Sequence, residues 1–125
     1  MQKTAESGKK GEELAKIYLQ NKGFIILHTN WRFSHSEIDI ICKKEDIIVF
    51  VEVKLRTNLH FGKPETFVNK KKVEKMQIAA NAYIEQNNWP GELRFDIISI
   101  EPGDVITHFE DAFYWSRQYT VGIRK

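Results

Sequence analysis

A chain of 125 residues with 42% hydrophobic and 29% charged positions is long enough for one domain with a sizeable core. Its formal charge of +2 is too small to mark a nucleic-acid binder, so a binding face would need local clustering of basic residues. One cysteine excludes an intramolecular disulfide and a zinc site built on cysteine pairs, and the absence of an apolar leader or a membrane-length run makes a cytoplasmic chain without membrane contact the expectation.

Residues Thr4 to Asn21 read as a helix, because Leu14, Ile17 and Tyr18 recur at helical spacing and Ala15 and Leu19 widen the stripe. Ser7 is the expected N-cap and Gly23 the stop. Phe24 to Leu27 starts a strand that continues with mixed character to Phe33, and Ser34-His35-Ser36 forms a turn. Glu37 to Cys42 then alternates, with Ile38, Ile40 and Cys42 on one face and Glu37, Asp39 and Ile41 on the other. Cys42 reads as a small core hydrophobe. A charged turn, Lys43 to Asp46, leads into Ile47 to Leu55.

That strand begins with five apolar residues, Ile47 to Val51, as a strand buried on both faces does. Val49, Val51, Val53 and Leu55 keep one face apolar, while the other changes from Ile48 and Phe50 to Glu52 and Lys54. A tight turn at Glu45-Asp46 pairs residues whose numbers sum to 91, which sets Asp39 opposite Glu52. Facing β-carbons lie roughly 5 Å apart, and two carboxylates that close repel unless a cation or a shared proton lies between them.

Arg56 to Glu65 has no clear period, and Gly62 and Pro64 mark a loop. A second helix runs from Lys70 to about Asn87 on a stripe of Val73, Met76, Ala80, Tyr83 and Ile84, and its lysines join Arg56 and Lys63 in a basic segment. Glu92 to Ile100 is a strand with Leu93, Phe95 and Ile97 on one face and Arg94 and Asp96 on the other, and Val105 to Phe109 is a short last strand. The order helix, three strands, helix, two strands gives an α/β fold, a mixed sheet flanked by helices. One domain over 1–125 is expected, with its core at about 8–109 and a tail from 110. His28, His35, His60 and His108 lack metal-ligand spacing and read as incidental.

A strand-borne Asp, then Glu-x-Lys after a gap of thirteen, suits Mg²⁺, which takes one or two carboxylates plus phosphate and water. Here the sequence resembles the PD-(D/E)xK nuclease superfamily, and more closely the YraN-like family of uncharacterised bacterial proteins, itself similar to archaeal Holliday-junction resolvases. The matching stretches are Gly8-Lys9-Lys10-Gly11-Glu12-Glu13-Leu14-Ala15, Glu37-Ile38-Asp39-Ile40-Ile41, Phe50-Val51-Glu52-Val53-Lys54-Leu55-Arg56, Phe61-Gly62-Lys63-Pro64 and Arg94-Phe95-Asp96. Where the family has glycine before the first Glu of its acidic strand, this chain has Ser36.

The resemblance implies a restriction-endonuclease-like core, with Asp39 and Glu52 as ligands of Mg²⁺ or Mn²⁺ and the Val53 carbonyl as a third. It implies Lys54 as the catalytic lysine, Glu12 approaching the metal from the first helix, through water if not directly, and Glu37 in support. Arg56, Lys70 and Lys72 would contact phosphates of DNA, branched DNA and a homodimer being implied by analogy with the resolvases alone. Two readings follow: a metal-dependent endonuclease, or a non-catalytic nucleic-acid-binding module that keeps the fold. A third, surface ion pairs on a structural domain, leaves the polar switch on the central strand unexplained.

Overall fold

A computed structural model describes residues 5–56, 70–114 and 122–123. Helix α1 (Ala5–Asn21) keeps to the expected span and already includes Ser7, so the cap expected there is not one. Its end is as expected. Gly23 takes φ 94°, and the Phe24 N–H reaches the Leu19 carbonyl at 3.0 Å, the bond that closes a Schellman cap.

Strands β1 (Ile25–Phe33), β2 (Ser36–Lys44) and β3 (Ile47–Leu55) form two successive hairpins. Ser34 and Glu45 turn them with positive φ of 57° and 54°. Helix α2 (Lys70–Asn87) lies in sequence between β3 and β4 (Glu92–Glu101), which pair parallel, as strands joined by a crossover do. Strand β5 (Val105–Phe109) closes a five-stranded mixed sheet in the order β1-β2-β3-β4-β5. Beyond it, β6 (Phe113–Tyr114) pairs with β7 (Gly122–Ile123), and the Phe113 side chain packs into the core against Phe95.

The sheet is covered on both faces, as the apolar run of β3 requires. Val49 and Val51 pack with Ala15 and Leu19 of α1, while Ile48 and Phe50 pack with Val73, Met76, Ala80 and Tyr83 of α2. The β2–β3 register is the expected one, from Lys44↔Ile47 to Ile40↔Val51, each pair summing to 91. One placement differs. Ile38 joins the α2 cluster with Ile41, away from Ile40 and Cys42. The β2–β3 ladder stops at Ile40, and past that point β2 pairs with β1 alone. Strict alternation there no longer dictates which face a side chain meets.

The α1 face also carries a buried polar cluster. Asp96 is fully buried and chelated by Arg94 through Nε and Nη2, both at 2.9 Å. His108 Nε2 lies 2.7 Å from Asp96 Oδ2, its Nδ1 lies 3.3 Å from the Tyr18 hydroxyl, and the Asp111 N–H donates to Asp96 Oδ1 at 2.9 Å. Burial works to raise the Asp96 pKa, but the hydrogen bonds from His108 and Arg94 outweigh it and hold the carboxyl below its usual range. His108 is therefore not incidental. It ties β5 to β4 and α1.

Phe50 has no exposed surface and stacks against Tyr83 and Phe95, with ring centroids 6.0 and 5.4 Å away. Phe50→Ala is expected to cost about 3–5 kcal/mol. Urea unfolding measures it as a lower midpoint with an unchanged slope.

Candidate functional site

Where β3 runs out of apolar residues, α1, β2 and α2 converge on it. A cleft of about 270 Å³ is lined by Gly8, Glu12, Asp39, Glu52, Val53, Lys54 and Leu55. Gly11 lets α1 come this near: a Cβ there would sit 3.0 Å from three side-chain atoms of Leu55. That approach brings Glu12, on the next position of α1, to the cleft mouth, where its Oε1 accepts from Asn30 Nδ2 at 2.9 Å.

Asp39 sits one residue past the end of the β2–β3 ladder. Its Oδ2 accepts the Val53 N–H at 2.8 Å, so a side chain completes what the backbone ladder leaves off. Burial pushes the Asp39 pKa up to about 7; the Glu52 and Glu12 charges push the same way, against the Val53 hydrogen bond and Lys72. The Glu52 charge thus acts on Asp39 in the sense expected of neighbouring carboxylates, second to burial.

The Glu52 side chain is 5% exposed. Its Oε2 lies 3.6 Å from Lys54 Nζ and 3.7 Å from Lys72 Nζ, close enough to share charge but too long for strong hydrogen bonds. Its Oε1 is buried with no hydrogen-bond partner. An unsatisfied buried polar atom costs about 1–3 kcal/mol, and more when charged. Such an oxygen, beside a second carboxylate, fits a hard cation, which supplies charge and coordination at once.

Among the described residues no three His, Cys, Asp or Glu side chains close on one point as a metal cage. Asp39 and Glu52 are thus a pair, with Glu12 held off by Asn30, and one or two carboxylates are what Mg²⁺ ordinarily takes from a protein.

The remaining expected residues separate. Lys72 reaches the cleft, where its ammonium stands beside the Glu52 carboxylate. Arg56 does not suit the phosphate role expected of it: its side chain is 7% exposed and ion-paired to Glu101 at 3.4 Å. Lys70 is exposed at the first position of α2 and lines neither this cleft nor the neighbouring one. Glu37 belongs to that neighbouring cleft, where its carboxylate lies 3.8 Å from Arg32 Nε. The matching stretch Phe61 to Pro64, with Lys63 in it, lies outside the described residues. Two participants escape sequence reasoning, Asn30 and the pairing of Lys72 with Glu52. Asn30 leaves a faint mark, an asparagine inside a strand, here at φ 52°. The Lys72–Glu52 pairing leaves none, because it depends on where α2 docks.

A family model described as Uncharacterised protein family UPF0102 matches residues 11–100. A UPF0102 protein of Flavobacterium psychrophilum, FP2501, is 48% identical over 110 residues, covering 86% of this chain and 92% of that protein. A UPF0102 protein of Christiangramia forsetii is 42% identical over 113 residues, covering 88% and 95%. One from a Sulfurihydrogenibium species is 43% identical over 114 residues, covering 90% and 97%. Among solved structures, "The structure of Pyrococcus Furiosus SfsA in complex with Ca2+" gives a TM-score of 0.28 at 15% identity, covering 82% of this chain and 62% of that one, too slight a likeness to carry an argument.

Asp39 holds its proton to about pH 7 when folded, against 3.8 for an ordinary aspartate. Folding therefore takes up a proton between those values, so the stability this group contributes is present below pH 3.8 and lost as pH rises through about 7. Asparagine has no charge to bury and can still accept the Val53 N–H. Asp39→Asn is expected to melt higher than wild type at pH 8 in metal-free buffer, with the gap closing toward pH 4. Thermal melts across that range test it, and a wild type at least as stable at pH 8 would refute the repulsion.

Proposed function

The chain belongs to the uncharacterised protein family UPF0102, the YraN-like family its sequence resembles, and from that premise we propose that it is a divalent-metal-dependent endonuclease acting on DNA. The observation that carries this reading is the partnerless buried Oε1 of Glu52, next to Asp39 and within one ammonium's reach of Lys54. The five-stranded mixed sheet with a helix on each face is consistent with a restriction-endonuclease-like core.

In this reading Asp39, Glu52 and the Val53 carbonyl would hold Mg²⁺ or Mn²⁺, with Glu12 in support from α1. When bound, such an ion would supply Lewis acidity for activating water and for offsetting charge on the phosphate. The protein's own groups do the rest. The Val53 N–H fixes the Asp39 carboxylate at the end of the sheet. Lys54 leaves the same strand face as Glu52, two residues on, where its ammonium orients the attacking water and offsets the charge that gathers on the phosphorane oxygens. Gly8 and Leu55 wall the cleft on the α1 side. Branched DNA is the substrate class suggested by the resemblance to resolvases. The alternative, a binding module without chemistry, gives no reason to bury an unsatisfied carboxylate oxygen against a second carboxylate.

Wild type and Lys54→Ala are to be incubated with linear, flapped and four-way-junction DNA in Mg²⁺, Mn²⁺ or EDTA. The expected result is metal-dependent cutting by wild type and a loss of about 10²-fold or more in Lys54→Ala, the scale of removing one group aimed at developing charge. Binding without cutting on any substrate would favour the binding module. Calorimetry on Glu52→Gln is expected to show Mn²⁺ binding abolished with the fold intact, and unchanged binding would remove Glu52 as a ligand.

A further inference from the structure

The acidic cleft has a basic neighbour. The β1–β2 turn and the start of α2 enclose a cleft of about 350 Å³ lined by Arg32, Ser34, His35, Ser36, Glu37, Lys72, Lys75 and Met76. That volume lies in the range of ligand sites, about 300–1,000 Å³. Three of the lining side chains, Arg32, Lys72 and Lys75, are cationic, and Glu37 is the one anion against them. Lys72 and Lys75 stand three residues apart on one helix face, an arrangement that by itself destabilises a helix by a few tenths of a kcal/mol. The first turn of α2 holds no acidic residue, so the positive end of the helix adds to the field. Arg32 has a side chain 75% exposed and meets Glu37 only at 3.8 Å, so its guanidinium keeps donors for a ligand.

The two clefts share a wall. Lys72 lines the basic cleft, and its ammonium is also 3.7 Å from Glu52 in the acidic one. A ligand lying across that wall meets a carboxylate pair on one side and a guanidinium, an imidazole and two ammoniums on the other.

We propose that the cleft of Arg32, His35, Lys72 and Lys75 is a phosphate-binding site, and that it seats a backbone phosphate of the polynucleotide whose neighbouring phosphate lies over Asp39 and Glu52. The identity of the polyanion rests on the nuclease reading, whereas the anion site itself does not. Arg32 supplies the planar fork that grips two phosphate oxygens, and Lys72 and Lys75 act as point charges on the helix side. Lys72 bridges the sites, leaving Glu52 for the phosphate as the strand settles.

The test uses the double variant Arg32→Ala/Lys75→Ala, since both residues line the basic cleft and neither lines the acidic one. Lys16→Ala/Lys44→Ala, which removes the same charge outside both clefts, is the control. Fluorescence anisotropy with labelled DNA in EDTA gives the slope of log affinity against log salt. Chemical shifts of the His35 ring are followed as inorganic phosphate is added. The expected result is a slope shallower by about one for each phosphate the cleft no longer neutralises, with the phosphate-induced His35 shift abolished, in the cleft variant and not in the control. DNA binding with an unchanged slope in the cleft variant overturns the proposal and leaves the nuclease reading standing. If wild type binds no DNA, the nuclease reading falls. A His35 shift that disappears in the cleft variant then keeps the anion site, with free phosphate or a small phosphoester as its ligand, and no shift in wild type overturns the site as well.

Discussion

Everything at the candidate site follows from one buried carboxylate. β3 is the middle strand of a sheet covered on both faces, and Glu52 follows Val51 while still 5% exposed. Even after relaxation, removing an ion from water costs several kcal/mol. Two side chains offset that cost, Lys54 from the same strand and Lys72 from α2, whereas Asp39 of β2 is a second carboxylate that repels. Glu12 of α1 adds negative charge at the mouth. The compensation is incomplete, because Oε1 keeps no hydrogen bond.

The same sheet shows what a closed gap looks like. Asp96, on the adjacent strand and fully buried, receives both arms of Arg94, the His108 ring and the Asp111 N–H. Its pKa falls, while that of Asp39 rises. Burial acts in the same direction on both; the difference is the neighbours. Asp96 faces donors, whereas Asp39 faces a second carboxylate and one N–H. The Asp96 cluster joins α1, β4 and β5 and has its hydrogen bonds made. The Asp39–Glu52 pair holds charge that an added cation would relieve.

The Lys72 ammonium links the acidic cleft to the basic one beside it. On the proposed reading, a metal ion would serve one phosphate of a polynucleotide while the cationic side chains serve the next. Arg56, turned inward to Glu101, serves the fold at this end of the sheet.

The two-sided burial of Ile47 to Val51, the α2 stripe and the nearness of Asp39 to Glu52 are legible in the chain because each is local. Strand and helix periods are properties of the backbone, and a tight turn at Glu45-Asp46 sets the hairpin register by counting. Ile38 departs from its expected face because alternation holds only while a strand has its partner, and β3 leaves β2 after Ile40. The ion pairs of Arg56, His108 and Lys72 are not legible for a shared reason: their partners Glu101, Asp96 and Glu52 are 45, 12 and 20 positions away in the chain and meet them only once the elements dock. Local periodicity is enough to say which residues can share a strand face, and so to single out the acid pair and Lys54. The docking of the layers settles which charges are spent on each other and which oxygen is left without a partner, since desolvation and ion pairing depend on distances the chain acquires only when those layers close.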